Sequence, residues 1–120
     1  MRALVVDDSA SMRQLVSFTL QQAGHEVIEG ANGQEALDKL NGQNVGLVVT
    51  DLNMPVMDGI SLIKAIRGRA ETRFTPILVL TTDAQEARRR EGQAAGASGW
   101  MVKPFHPRMF LQAVARILPS

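Results

Sequence analysis

Four stretches of the chain are apolar with almost no interruption, and each stops abruptly at a polar side chain. Residues 3–6 run into Asp7-Asp8, residues 45–50 into Asp51, residues 77–80 into Thr81-Thr82-Asp83, and residues 100–102 into Lys103-Pro104. The run ending in Asp51, uniform and without period-2 alternation, predicts a parallel strand buried on both faces, and the other three predict further strands. Residues 25–29 alternate instead, with Val27 pointing inward, which predicts a half-exposed edge strand. Between the runs, hydrophobic positions recur at helical spacing: Met12, Leu15, Val16, Thr19, Leu20 and Ala23; Ala36, Leu37 and Leu40; Ile60, Ile63 and Ile66; and Phe110, Val114, Ile117 and Leu118. Capping-box pairs are read at Ser11 with Gln14, Asn32 with Glu35 and Asp83 with Glu86, and Asp58 is read as a further N-cap. Gly24 and Asn41-Gly42 read as stops, and Pro107 suits a first helical position. Strand and helix thus alternate five times with short connections. That order predicts an α/β fold, a (βα)5 doubly wound parallel sheet with right-handed crossovers.

Composition changes this picture little. At 120 residues the chain fits one domain, and no linker, low-complexity segment or larger repeat divides it. One domain over residues 1–120, with no output domain, is expected. A net charge of +1 gives no electrostatic case for nucleic acid or an anionic membrane. With no cysteine, disulfides and thiolate chemistry are excluded. Charge at Asp7 interrupts any signal-peptide core, and no apolar run approaches the roughly 20 residues of a membrane helix. The expectation is a soluble, cytoplasmic monomer.

The chemistry lies where the strands stop. In open α/β sheets, ligands bind beyond the carboxyl ends of the strands. Parallel strands would bring Asp7-Asp8, Asp51, Thr81 and Lys103 to one rim. Three crowded carboxylates repel one another and call for a cation. Oxygen-only ligands suit a hard ion such as Mg²⁺, completed by water and a phosphate oxygen. The lysine ammonium and threonine hydroxyl add donors for a further anionic group. Carboxylate nucleophile, divalent metal, ammonium and hydroxyl are what phosphoryl transfer onto a carboxylate requires.

These pieces resemble the receiver domain of two-component response regulators, most closely the stand-alone chemotaxis type. The matching stretches are Val5-Val6-Asp7-Asp8-Ser9, Asp51-Leu52-Asn53-Met54-Pro55-Val56-Met57-Asp58-Gly59, Leu80-Thr81-Thr82 and residues 97–105, which end in Lys103-Pro104-Phe105. The resemblance covers essentially the whole chain. It implies a flavodoxin-like fold with strand order 2-1-3-4-5 and a phosphorylation-dependent signalling switch. Asp51 would accept a phosphoryl group from the phosphohistidine of a sensor histidine kinase or phosphotransfer protein. Asp8 and Asp51 would bind Mg²⁺ directly, Asp7 through water and Asn53 through its backbone carbonyl. Lys103 would pair with the phosphoryl oxygens, Thr81 would turn its hydroxyl toward them, and the Lys103–Pro104 bond would be cis. Trp100 stands at the position of an aromatic switch, where Tyr or Phe is usual. Its movement would reshape the surface of the fourth helix, fifth strand and fifth helix for a downstream partner, such as a flagellar motor switch. Thr82 stands where a small residue is common. Asn53 and Asp83 stand where the family tunes dephosphorylation.

Some of these residues also have a simpler reading. Trp100 would equally cover an edge strand. Arg88-Arg89-Arg90, flanked by Glu86 and Glu91, reads as a solvated helix face, with partner binding as the alternative. Met12, Met57, Met101 and Met109 read as core or subsurface packing. His25 and His106 have no ligand partners at motif spacing, so zinc is not expected. A phosphohydrolase of the haloacid-dehalogenase kind shares the aspartate, Mg²⁺, hydroxyl and lysine. It needs an acid two residues after the nucleophile, where Asn53 cannot protonate a leaving group. An unphosphorylated scaffold would have no use for the full set of Asp7, Asp8, Asp51, Thr81 and Lys103.

Overall fold

The apolar runs do form the strands of one parallel sheet. The computed structural model describes residues 1–119. The strands are β1 (Arg2–Val6), β2 (Glu26–Gly30), β3 (Leu47–Thr50), β4 (Ile77–Thr81) and β5 (Gly99–Val102). They alternate with α1 (Ala10–Gln22), α2 (Gly33–Leu40), α3 (Gly59–Arg67), α4 (Glu86–Ala95) and α5 (Pro107–Ile117). The sheet order is β2-β1-β3-β4-β5, and every pairing is parallel. The order and the two edges are as expected.

Alternation of side chains along each strand splits the core in two. Leu4, Val6, Val48 and Val79 point to the face covered by α2 and α3, where they meet Ala36, Leu40, Ile63 and Ile66. Ala3, Val5, Leu47, Val49, Leu78 and Leu80 point to the face covered by α1 and α5, where they meet Val16, Leu20, Phe110 and Val114. Both faces of the central strands are dry, which is why these strands show no polar alternation.

Most helix ends follow the sequence signals. Asn32 and Asp58 accept the N–H groups of Glu35 and Ser61, and Gly24 takes φ of 95° beyond α1. Two caps differ from expectation. The N-cap of α1 is Ser9, which accepts the N–H of Met12, and Ser11 lies inside the helix. Asp83 does not cap α4, which starts three residues later after Gln85 and has no side-chain cap. In both cases Asp, Ser and Thr are crowded at a strand tip, so several hydroxyls and carboxylates compete for one cap. Met109 is also not packed as expected: it is 56% exposed.

Candidate functional site

Register brings the polar strand tips together. Val6 pairs with Thr50, Thr50 with Val79, and Thr81 with Val102. The ladder continues one step into the loops, with Asp51 N–H donating to the Val6 carbonyl and Lys103 N–H to that of Thr81. Asp7, Asp51, Thr81 and Lys103 therefore emerge on the same rim of the sheet. Carboxylate oxygens of Asp7, Asp8 and Asp51 lie within 4.8 Å of one another. Among the described residues this is the one such grouping.

Each buried carboxylate is fixed from two sides. One oxygen of Asp7 accepts Ser9 N–H at 2.9 Å, and one oxygen of Asp51 accepts Leu52 N–H at 2.7 Å. The other oxygens face the same ammonium: Lys103 Nζ lies 3.0 Å from Asp7 Oδ2 and 3.3 Å from Asp51 Oδ2. Asp8 is exposed and completes the cluster from the solvent side. Burial pushes the Asp7 carboxyl above its ordinary value of 3.8, and the Asp51 charge adds to this. The Ser9 N–H and Lys103 oppose the rise without cancelling it. Burial alone would lower the Lys103 ammonium, but the combined pull of Asp7 and Asp51 leaves it raised. Both directions follow from one cation shared between two carboxylates in a partly dry site.

The loop behind Asp51 explains part of its motif. A side chain on Gly59 would overlap the Asp51 carbonyl oxygen, and Gly59 N–H donates to Leu52 at 2.7 Å. Only glycine permits the start of α3 to approach the Asp51–Leu52 backbone this closely. Val56 in the same loop takes φ of 69° and is 82% exposed, a strained conformation for a β-branched residue. Asn53 is exposed at the rim.

Thr81 is fully buried, and its hydroxyl accepts Asp83 N–H at 3.1 Å. The Lys103–Pro104 peptide bond is cis. Trp100 is half-buried on the α2–α3 side of the core, and it rests on α4 at Gly92. Sequence reasoning missed Ser9 and Arg13. Ser9 orients Asp7, while Arg13 donates to the Asp7 carbonyl at 2.6 Å and to Glu29 at 3.0 Å. Ser9 had a signal, since a serine right after two aspartates and three residues before Met12 has N-cap spacing. Arg13 had none, because its partner Glu29 lies on a different element, β2.

The sequence matches the response regulator receiver domain over residues 3–115. The chemotaxis protein CheY homologue of Campylobacter jejuni is 37% identical, with 98% of this chain and 92% of the relative aligned. Chemotaxis protein CheY1 of Helicobacter pylori is 36% identical over 98% of this chain and 97% of its own. The solved structure of the chemotaxis response regulator CheY4 of Vibrio cholerae superposes with a TM-score of 0.92 at 48% identity, covering 98% of each chain. No described helix is long and apolar enough to cross a membrane.

Proposed function

Since the chain belongs to the response regulator receiver domain family, we propose that it is a phosphorylation-dependent switch whose acceptor is the Asp51 carboxylate. Proteins of this kind signal and do not turn over a substrate. The observation that carries the reading is the shared ammonium, with Lys103 within 3.3 Å of both Asp7 and Asp51. The three carboxylates fit a hard divalent cation, since they offer only oxygens and carry more negative charge than Lys103 balances. Asp8 and Asp51 would hold Mg²⁺ directly, Asp7 through water and Asn53 through its carbonyl. Bound there, the ion supplies charge neutralisation for a transferred phosphoryl group.

The chain's own residues do the rest. A carboxylate oxygen of Asp51 attacks the phosphorus of a phosphohistidine. The O–P bond forms as the P–N bond breaks, and the electron pair stays on the imidazole of the kinase or phosphotransfer protein. Lys103 follows the negative charge from the carboxylates to the phosphoryl oxygens. Thr81 turns its hydroxyl from the Asp83 N–H toward the same oxygens. The indole of Trp100 then moves, and the surface formed by α4, β5 and α5 changes for a downstream partner. The names of the chemotaxis relatives support chemotaxis signalling as the setting; in this reading the chain acts in the cytoplasm as a monomer.

The test is incubation with acetyl phosphate, with and without Mg²⁺. The expected result is acid-labile phosphate on the wild type that requires Mg²⁺ and disappears in Asp51→Asn. A wild type that takes no label, or undiminished labelling of Asp51→Asn, contradicts the reading.

A further inference from the structure

Arg88 opens a run of three arginines on α4 but does not share the solvated setting expected for the run. Arg89 and Arg90 are 51% and 73% exposed and approach only Glu86, at 3.9 and 3.7 Å. Arg88 is 25% exposed and turns toward the rim. Its Nε lies 3.7 Å from Asp83 Oδ2, and its Nη1 donates to Glu91 at 2.9 Å. The other oxygen of Asp83 accepts Gln85 N–H at 3.0 Å. The Asp83 carboxylate, 14% exposed, is thus held in a turn on one side and faced by a guanidinium on the other. The N–H of the same residue donates to Thr81 Oγ1. A single residue therefore separates Arg88 from the hydroxyl at the tip of β4.

Little else secures this end of α4. The helix has no side-chain cap, and Gly92, near its other end, is its one buried residue. The loop between Thr81 and α4 relies on Asp83 and its arginine.

We propose that Arg88 is a positioning residue for phosphoryl transfer at Asp51, acting through Asp83. It keeps the Asp83 carboxylate in its turn and cancels its charge, so that no fourth free anion stands beside the acid cluster. The inference rests on Asp51 being the acceptor. The physical reason is charge balance. A phosphodonor is itself anionic, and with Mg²⁺ bound it would approach three carboxylates balanced by that ion and one lysine, a site that a further free carboxylate would tip to net negative. A further unpaired carboxylate at the rim would slow its approach, an effect that salt screens.

The experiment measures the rate of labelling by acetyl phosphate at saturating Mg²⁺ in the full chain. Arg88→Gln is expected to lower the rate about five-fold at low ionic strength. The deficit should close at high salt and in the double variant Asp83→Asn/Arg88→Gln, while Arg88→Lys stays within about two-fold of wild type. Arg88→Gln also releases Glu91, so Glu91→Gln/Arg88→Gln is the control and should keep the deficit. An Arg88→Gln rate equal to wild type at low salt overturns the inference. So does a deficit that survives both salt and Asp83→Asn, since that marks a purely structural role. A wild type that takes no label instead overturns the assignment of Asp51, which separates the two failures.

Discussion

Asp7 is 4% exposed, shares its one cation with Asp51, and holds its proton above the ordinary carboxylate value of 3.8. A group whose folded value is raised contributes stability fully below its unfolded value and loses that contribution as pH rises through the folded one. At neutral pH an ionised Asp7 is therefore a burden, which Asp7→Asn removes while Asp51 remains to pair with Lys103. Thermal unfolding in chelator should show Asp7→Asn more stable at pH 7 by about 1 kcal/mol, roughly 4 °C in Tm. The gap should narrow below pH 3.8. An equal or lower Tm for the variant at pH 7 contradicts this account of the site's electrostatics. Val56 stores strain in the same rim, being β-branched at φ of 69° and 82% exposed. Replacing it by glycine sacrifices almost no burial and relieves the left-handed backbone, so Val56→Gly should stabilise the chain by about 1 kcal/mol in denaturant unfolding. A destabilised variant would mean that the Val56 side chain has a packing role that its exposure conceals.

At the scale of elements, α4 differs from the other four helices. Four of them are secured by a side-chain N-cap or an N-terminal proline and by two or more buried residues. The fourth has Gly92 alone on its buried side. Glycine inside a helix costs about 1 kcal/mol relative to alanine, so Gly92→Ala should stabilise an isolated α4. In the folded chain the added Cβ would stand 2.8 Å from Trp100 Cζ3 and 3.3 Å from Cε3. The expected outcome is therefore no gain in stability and a red-shifted Trp100 emission as the indole is displaced. A Tm raised by roughly 4 °C with unchanged emission would show that the ring does not rest on Gly92. The weak helix also marks where sequence reasoning failed. Asn32 and Asp58 each stand alone before a hydrophobic period, and each caps as expected. Ser9 and Ser11 compete before α1, and Asp83 bonds within its own turn before α4. Local rules rank isolated caps well, but neighbouring polar side chains are decided by tertiary contacts that a linear pattern does not contain.

Across the whole molecule, the legible part of the fold came from burial. Uniformly apolar strands and 3.6-period helices leave one economical arrangement, a sheet covered on both faces, and the split core of odd and even positions shows it. Strand order was not legible from periodicity, because nothing in the pattern of β1 says which neighbour it takes; resemblance supplied it. The candidate site was legible in its strand-tip residues, since each ends an apolar run, and parallel register brings Asp7, Asp51, Thr81 and Lys103 to one rim. Its supporting residues were not. Arg13 reaches Glu29 on β2 from α1, Arg88 reaches Asp83 only because the loop before α4 turns back on the helix, and Gly92 acts against one particular ring. All of this converges on one carboxylate. The direct measurement is peptide mass mapping of the chain after exposure to acetyl phosphate and Mg²⁺. The account predicts a single added phosphoryl group, on the peptide containing Asp51 and absent without Mg²⁺. A phosphoryl group on any other residue, or none at all, contradicts it.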